Sequence, residues 1–244
     1  MTDIILGMGE VGETLFDLLV ERNFDCIGID VDSSKCRNYL DNESIENPEF
    51  LHVCLPGELP EFVNIATDWI NKISGVKVVV VHSTVKPGTT KTIQEKSKVL
   101  VLYSPVRGVH RRFLDDIKKY TKFISSDDNI DAKIKMDLEK RFEKIDWMST
   151  TKTAELAKIL VDTTYYGWLI NYAQITKMIC EKEDIDFDEM WKFADEIHEN
   201  LGNRPKMYPG VIGGHCVIPN LNLIEYENLD IIKKINEMYE KFKK

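Results

Sequence analysis

No stretch of this 244-residue chain is apolar enough to span a bilayer: the strongest run, Val76 to Val81, contains Lys77 and falls far short of the roughly 20 residues required. Positive charge is scarce as well. With 41 acidic and 32 basic side chains the formal net charge is -9, and phosphate-rich partners need a basic footprint, so neither nucleic acid nor an anionic membrane is an expected partner. Cysteines number five (Cys26, Cys36, Cys54, Cys180 and Cys216), an odd count without a CxxC pair. That disfavours both a disulfide framework and a structural zinc site, and no metal is expected. A basic segment followed by an apolar stretch and a cleavage site is also missing, because an apolar strand pattern starts at Ile4. A cytoplasmic protein is the expectation. Neither an internal repeat nor a low-complexity tract stands out.

What is present is a 43% hydrophobic composition, enough for one generous domain or two modest ones. Apolar strands alternate with helical periodicity. Asp3 to Leu6 reads as a strand, Glu10 to Arg22 as a helix and Asp25 to Asp30 as a strand; Phe50 to Leu55, Val76 to His82 and Val99 to Tyr103 are further strands. Glu58 to Ile73 and Thr89 to Lys96 read as the helices between them, while Lys122 to Ile124 and Asp146 to Met148 read as edge strands. This alternation predicts an α/β Rossmann-type doubly wound, mostly parallel sheet over residues 1–150. Beyond residue 150 the pattern turns wholly helical. One long helix is predicted over Thr153 to Glu183, with only Gly167 as a breaker. A second helix is expected over Asp186 to Leu201, then a Gly- and Pro-rich loop from Asn203 to Asn220, and a terminal helix from Asn228 to Lys244. Residues 151–244 are thus expected to form a smaller all-α domain.

The segment Gly7-Met8-Gly9-Glu10-Val11-Gly12 follows the first strand and opens the first helix, and Asp30 ends the next strand eighteen residues after Gly12. The first glycine suits a tight turn, the second lets a pyrophosphate approach the backbone, and the third lets helix and strand pack closely. N–H groups at the helix start, near Glu10 and Val11, would meet the phosphates. Asp30 would bind ribose hydroxyls and repel a 2′-phosphate, which favours NAD over NADP. Lys35 would pair with a phosphate or simply be solvated.

Two other regions carry chemistry. Cys216 sits beside His215 in a loop whose glycines and prolines, Pro209, Gly210, Gly213, Gly214 and Pro219, fix an unusual backbone path. It is a candidate thiolate nucleophile, or else a small buried hydrophobe; adjacent His and Cys lack the usual metal-ligand spacing. Lys158 and Asp162 share a helix face at i and i+4, one turn after Glu155. Lys158 would stabilise an oxyanion or bind substrate, although spacing alone favours surface ion pairing. Arg107, Arg204 and Lys206 are candidate anion contacts.

Four motifs in order, Gly7 to Gly12 with Asp30 and Lys35, His82-Ser83-Thr84-Val85 with Pro87-Gly88-Thr89-Thr90, Glu155-Leu156-Ala157-Lys158, and Gly213-Gly214-His215-Cys216, resemble those of the UDP-glucose/GDP-mannose dehydrogenase family. The resemblance implies an NAD-dependent oxidoreductase acting on a sugar or nucleotide-sugar alcohol. It also implies a Cys216 thiohemiacetal, oxyanion stabilisation by Lys158, and Thr84 near the cofactor and the catalytic water. A homodimer built on long helices is implied too, and the chain is expected to be a short form without the family's C-terminal nucleotide-binding domain. Three positions depart from the pattern. Val106 replaces a glutamate, Asp162 an asparagine and Asn220 an aspartate, and the last two are expected to have exchanged roles. Val106 also leaves room for a non-catalytic NAD(H)-binding sensor or accessory subunit. A simple two-electron dehydrogenase using Lys158, with Cys216 incidental, is a third reading.

Overall fold

A computed structural model describes residues 2–39, 47–108, 112–202, 207–225 and 227–243. Two compact units divide the chain, Met1–Lys158 and Ile159–Lys244.

The first unit is built on seven strands: β1 (Thr2–Leu6), β2 (Asp25–Ile29), β3 (Leu51–Val53), β4 (Val78–Val81), β5 (Leu100–Tyr103), β6 (Lys122–Ser125) and β7 (Ile145–Met148). Their order is β2-β1-β3-β4-β5-β6-β7, all parallel to their neighbours except β5 and β6. The order reverses between β1 and β3, and in such sheets ligands bind outside the carboxyl ends of the strands at that switch. Helices α1 (Glu10–Glu21), α2 (Phe62–Lys72), α3 (Thr89–Ser97), α4 (Phe113–Lys119), α5 (Ala132–Arg141) and α6 (Thr151–Ala157) complete the unit. Leu15, Leu18 and Leu19 of α1, Ile117 of α4 and Leu138 of α5 pack on one face against Ile5, Val80 and Leu102. Phe62, Ala66 and Ile70 of α2 and Ile93 of α3 cover the other against Ile4, Leu51 and Val79. Burial on both faces explains why β4 is the unbroken run Val78 to Val81.

The sheet is the predicted doubly wound, mostly parallel one, with one correction. The strand expected at the edge from Lys122 lies between β5 and β7 and runs antiparallel to β5; of the two strands expected at an edge, β7 alone is one, and β2 forms the opposite edge. Helices α4 and α5 had no clear apolar period: α5, AKIKMDLEKR, presents little beyond Leu138 to the core.

The second unit is all-α, with α7 (Tyr165–Glu183), α8 (Phe187–Leu201), α9 (Val217–Leu221) and α10 (Asp230–Phe242). The predicted long helix departs from α geometry at Lys158–Thr164, which is π-helical. Four β-branched residues crowd there, and the Thr163 hydroxyl donates to the Ile159 carbonyl at 2.9 Å, loosening the α ladder. Asn171, Gln174 and Asn236 form a buried amide network: Asn171 donates to Gln174 at 2.7 Å, and Gln174 donates to the Gly210 carbonyl at 2.6 Å and to Asn236 at 3.2 Å. It ties α7 to α10 and to the segment before Cys216. Among the described residues no helix is long and apolar enough to cross a membrane.

Candidate cofactor and catalytic sites

The glycine turn is built as its sequence requires. Gly7 has φ +93°, and a Cβ on Gly12 would lie 1.8 Å from the Gly7 carbonyl oxygen, so the start of α1 sits directly on the turn and no larger residue fits. At Gly9 no atom lies within 4 Å of the position a Cβ would take, which leaves the outer side of the turn open. Gly9 precedes α1 and supplies no side-chain cap, so the backbone of Glu10, Val11 and Gly12 forms a bare helix start of the kind that receives an anion. Asp30 belongs to the same construction. Its carboxylate accepts the Met8 N–H at 2.7 Å and the Asp32 N–H at 3.0 Å. The acid at the end of β2 thus grips the middle of the glycine turn, and its remaining lone pairs are those a ribose diol would use. Lys35 is exposed in a 3-10 turn, Ser33–Lys35, that Asp32 caps through the Ser34 N–H at 3.0 Å.

Thr84 is half-buried in the loop between β4 and α3. That loop is held by Glu155, which is fully buried and accepts the Gly88 N–H at 2.5 Å and the Thr90 N–H and hydroxyl at 2.9 and 2.7 Å. Burial pushes the Glu155 carboxyl above its ordinary range, and these three bonds oppose the shift. Glu155 therefore caps α3 from within the core instead of joining a surface ion pair with Lys158, and it fixes the end of α6 against the Thr84 loop. Lys158 follows directly, half-buried at the start of the π-helical segment. Val106 is buried in the core over β5 and offers no proton-transferring group. Arg107, a candidate anion contact, is engaged structurally: it donates to the Thr121 carbonyl at 2.9 Å and lies over the rings of Tyr120 and Phe123. Arg204 and Lys206 lie outside the described residues.

In the second unit Cys216 is exposed and immediately precedes α9. The predicted loop therefore ends at a helical turn, through which the Asn220 N–H donates to the Cys216 carbonyl at 3.1 Å. The neighbouring Val217 is buried against α7, where Gly167 makes room: a Cβ on Gly167 would come within 2.7 Å of Val217 Cγ1. The lone breaker in the predicted helix is thus a packing notch that sets where the cysteine stands. Asn220 is buried, and Asp162 is half-buried in the π-helical segment.

With this geometry the chain can be set beside known proteins. It is 24% identical to the UDP-N-acetyl-D-mannosamine dehydrogenase of Methanocaldococcus jannaschii, over 87% of this chain and 58% of that protein. The corresponding protein of Methanococcus maripaludis strain C7 matches at 23%, with the same coverage. The chain's relatives are nucleotide-sugar dehydrogenases. It spans 58% of the length of these curated relatives. Among solved structures, the UDP-D-ManNAc dehydrogenase of Pyrococcus horikoshii superposes with a TM-score of 0.82 at 18% identity, over 99% of this chain and 69% of that one. A UDP-glucose dehydrogenase from Pyrobaculum islandicum gives 0.74 at 17%, over 97% and 68%. A 3-hydroxyisobutyrate dehydrogenase from Mycobacterium tuberculosis gives 0.65 at 16%, covering 99% of this chain and 93% of that one. These likenesses show the fold alone, a Rossmann-type one. No family profile matches the chain.

Proposed function

We propose that the protein is an NAD-dependent dehydrogenase that oxidises a sugar or nucleotide-sugar alcohol. The observation that carries this reading is the glycine turn at the sheet's switch point, left open at Gly9 and gripped by the Asp30 carboxylate. In it the N–H groups of Glu10, Val11 and Gly12 receive the pyrophosphate, Asp30 binds the adenosine ribose, and Lys35 balances phosphate charge. Thr84 lines the nicotinamide side. NAD, when bound, supplies the hydride acceptor.

On the substrate side Lys158 stabilises the developing oxyanion, and the Cys216 thiol adds to the aldehyde carbon to give a thiohemiacetal. Its oxidation leaves a thioester, which water hydrolyses to the carboxylate while the thiol is regenerated. Asp162 and Asn220 then stand as an exchanged acid and amide on either side of this chemistry. The second unit serves substrate binding and dimerisation in the cytoplasm.

Two other readings each have an observation behind them. Val106 favours a non-catalytic NAD(H)-binding sensor or accessory subunit. The near-complete coverage of the 3-hydroxyisobutyrate dehydrogenase favours a single two-electron oxidation with Lys158 alone.

Incubating the purified protein with NAD and a panel of UDP-, GDP- and plain sugars, with Cys216→Ser alongside, separates the three. Two NADH per product, with the second oxidation lost in Cys216→Ser, is the expected result. One NADH per turnover in both proteins supports the simple dehydrogenase, and NAD binding without turnover supports the sensor.

A further inference from the structure

The sheet face covered by α1, α4 and α5 carries a file of buried ionisable groups that the proposed chemistry leaves unused. Asp3 lies in β1, His52 in β3, His82 just beyond β4 and Lys122 at the start of β6. Arg141 of α5 holds Asp3 through Nε at 2.6 Å and Nη2 at 2.9 Å, and reaches Glu49 at 2.7 Å. From Asp3 the file continues across one long step, at which His52 Nε2 has no hydrogen-bond partner within ordinary geometry. His52 Nε2 stands 3.5 Å from Asp3 Oδ2, and His52 Nδ1 lies 2.9 Å from His82 Nε2. His82 Nδ1 is 2.8 Å from the Ser104 carbonyl oxygen and 3.3 Å from Lys122 Nζ, which is 3.0 and 3.3 Å from the Ser104 and Pro105 oxygens.

Two constraints fix how many protons this file holds. Asp3 and Glu49 bring two negative charges and Arg141 one positive; Glu49 is partly solvated, its side chain 16% exposed, and one more proton on the buried groups balances the set. Hydrogen bonding offers it two seats. With the proton on Lys122, the ammonium donates to His82 Nδ1, His82 Nε2–H donates to His52 Nδ1, and His52 Nε2–H faces Asp3; His82 Nδ1 and the Ser104 oxygen then meet as two acceptors. With the proton on His52, the imidazolium donates to both Asp3 and His82, His82 Nδ1–H donates to Ser104, and the neutral amine of Lys122 donates to the Ser104 and Pro105 oxygens. Passing from the first state to the second breaks Lys122 Nζ–H and His82 Nε2–H and forms His82 Nδ1–H and His52 Nδ1–H, so the number of protons is conserved.

We propose that Lys122, His82, His52 and Asp3 form a buried relay that holds one mobile proton and presents it at the carboxyl edge of the sheet, beneath the His82–Thr84 loop. Because β6 runs antiparallel to β5, its first residue lies at that edge. The groups facing Lys122 are Cys54, His82, Arg107 and Lys158, with the Phe142 ring 5.4 Å away; those facing His52 are Asp3, Arg141, His82 and Lys122. Burial, opposed by Cys54 and aided by Lys158 and Arg107, brings Lys122 down to about 7. Burial lowers both histidines as well, and Asp3 opposes this at His52. The use of the relay rests on the dehydrogenase reading. Oxidising an alcohol to a carbonyl releases a proton beside the hydride; once the file's one proton has been lost to solvent above its shared titration step, the Lys122 amine can take up the released proton, which Val106 cannot. Lys122 is thus a positioning residue that holds a proton behind the reacting groups.

Side-chain 15N NMR of histidine and lysine in the full chain, from pH 5.5 to 9.5, tests the relay without any need for turnover. Lys122 and His52 are expected to titrate in one shared step, and Lys122→Met is expected to keep the His52 imidazolium to higher pH. A Lys122 ammonium that persists through the whole range beside a neutral His52 would overturn the proposal. So would a His52 titration that Lys122→Met leaves unmoved. If that variant does not fold, the unmodified chain's titration decides alone. The pH profile of kcat is the second readout: Lys122→Met should lose the limb near neutrality with NAD affinity retained. A shared titration in a protein that oxidises no sugar keeps the relay and sinks the dehydrogenase reading; turnover with independent titrations does the reverse.

Discussion

The Arg141 guanidinium is almost wholly buried and donates to two carboxylates, Asp3 and Glu49, and to the Asp137 carbonyl. Removing one member of such a set leaves an uncompensated charge in the interior, which costs about 3–5 kcal/mol. Arg141→Met is therefore expected to lower unfolding free energy by about that much, measured in urea, and adding Asp3→Asn should recover part of it. The pH dependence follows from Asp3. Burial alone would raise its carboxyl, but hydrogen bonds from His52 and Arg141 outweigh this and hold it below 3.8. With the folded value below the unfolded one, its contribution is full above about pH 4 and is lost as pH falls through the folded value. Arg141→Met should flatten that acid limb of the stability profile.

At the scale of elements, the turn joining β1 to α1 is set by backbone contact as well as by side chains. Gly12→Ala would drive a Cβ into the Gly7 carbonyl, so the helix start must move outward. NAD affinity should fall by at least tenfold, about 1.4 kcal/mol, in titration calorimetry, while far-UV circular dichroism keeps its helical signal. An unchanged affinity would mean that the turn does not bind the cofactor.

The sheet strands and this turn were legible in the sequence because buried parallel strands and glycine spacing leave simple signatures. Helices α4 and α5 were not, since their faces are short and heavily charged. The relay was overlooked although its trace is visible: Asp3, His52 and Lys122 are each the lone ionisable residue in an otherwise apolar or neutral strand. The buried role of Glu155 leaves no such trace. Helical spacing places a residue on a face but does not say whether that face is covered, and its partners lie 65 and 67 residues away.

For the molecule as a whole, the outer side of α7 is notable for what it leaves uncovered. Tyr165, Trp168, Tyr172 and Ile179 follow at intervals of three, four and seven, all exposed, with Tyr172 at 67%. An apolar stripe of this kind on a helix of 19 residues fits burial against a second copy. Light scattering after gel filtration is expected to give twice the 28.2 kDa of the chain, and Tyr172→Glu to shift it to a monomer. A monomeric unmodified protein at about micromolar concentration, where an interaction near -8 kcal/mol would hold, would remove the dimer from the proposal.

The pairing of Asp3 with Arg141 joins residues 138 positions apart, and this separation constrains the order of events during synthesis. The first strand leaves the ribosome with a carboxylate destined for the interior, and its guanidinium partner is translated only when most of the sheet is already made. Until then β1 can enter the core only at the cost of an unpaired charge. A nascent chain that ends before Arg141 should therefore keep β1 accessible to protease or chaperone, and the sheet should close late and as one cooperative unit.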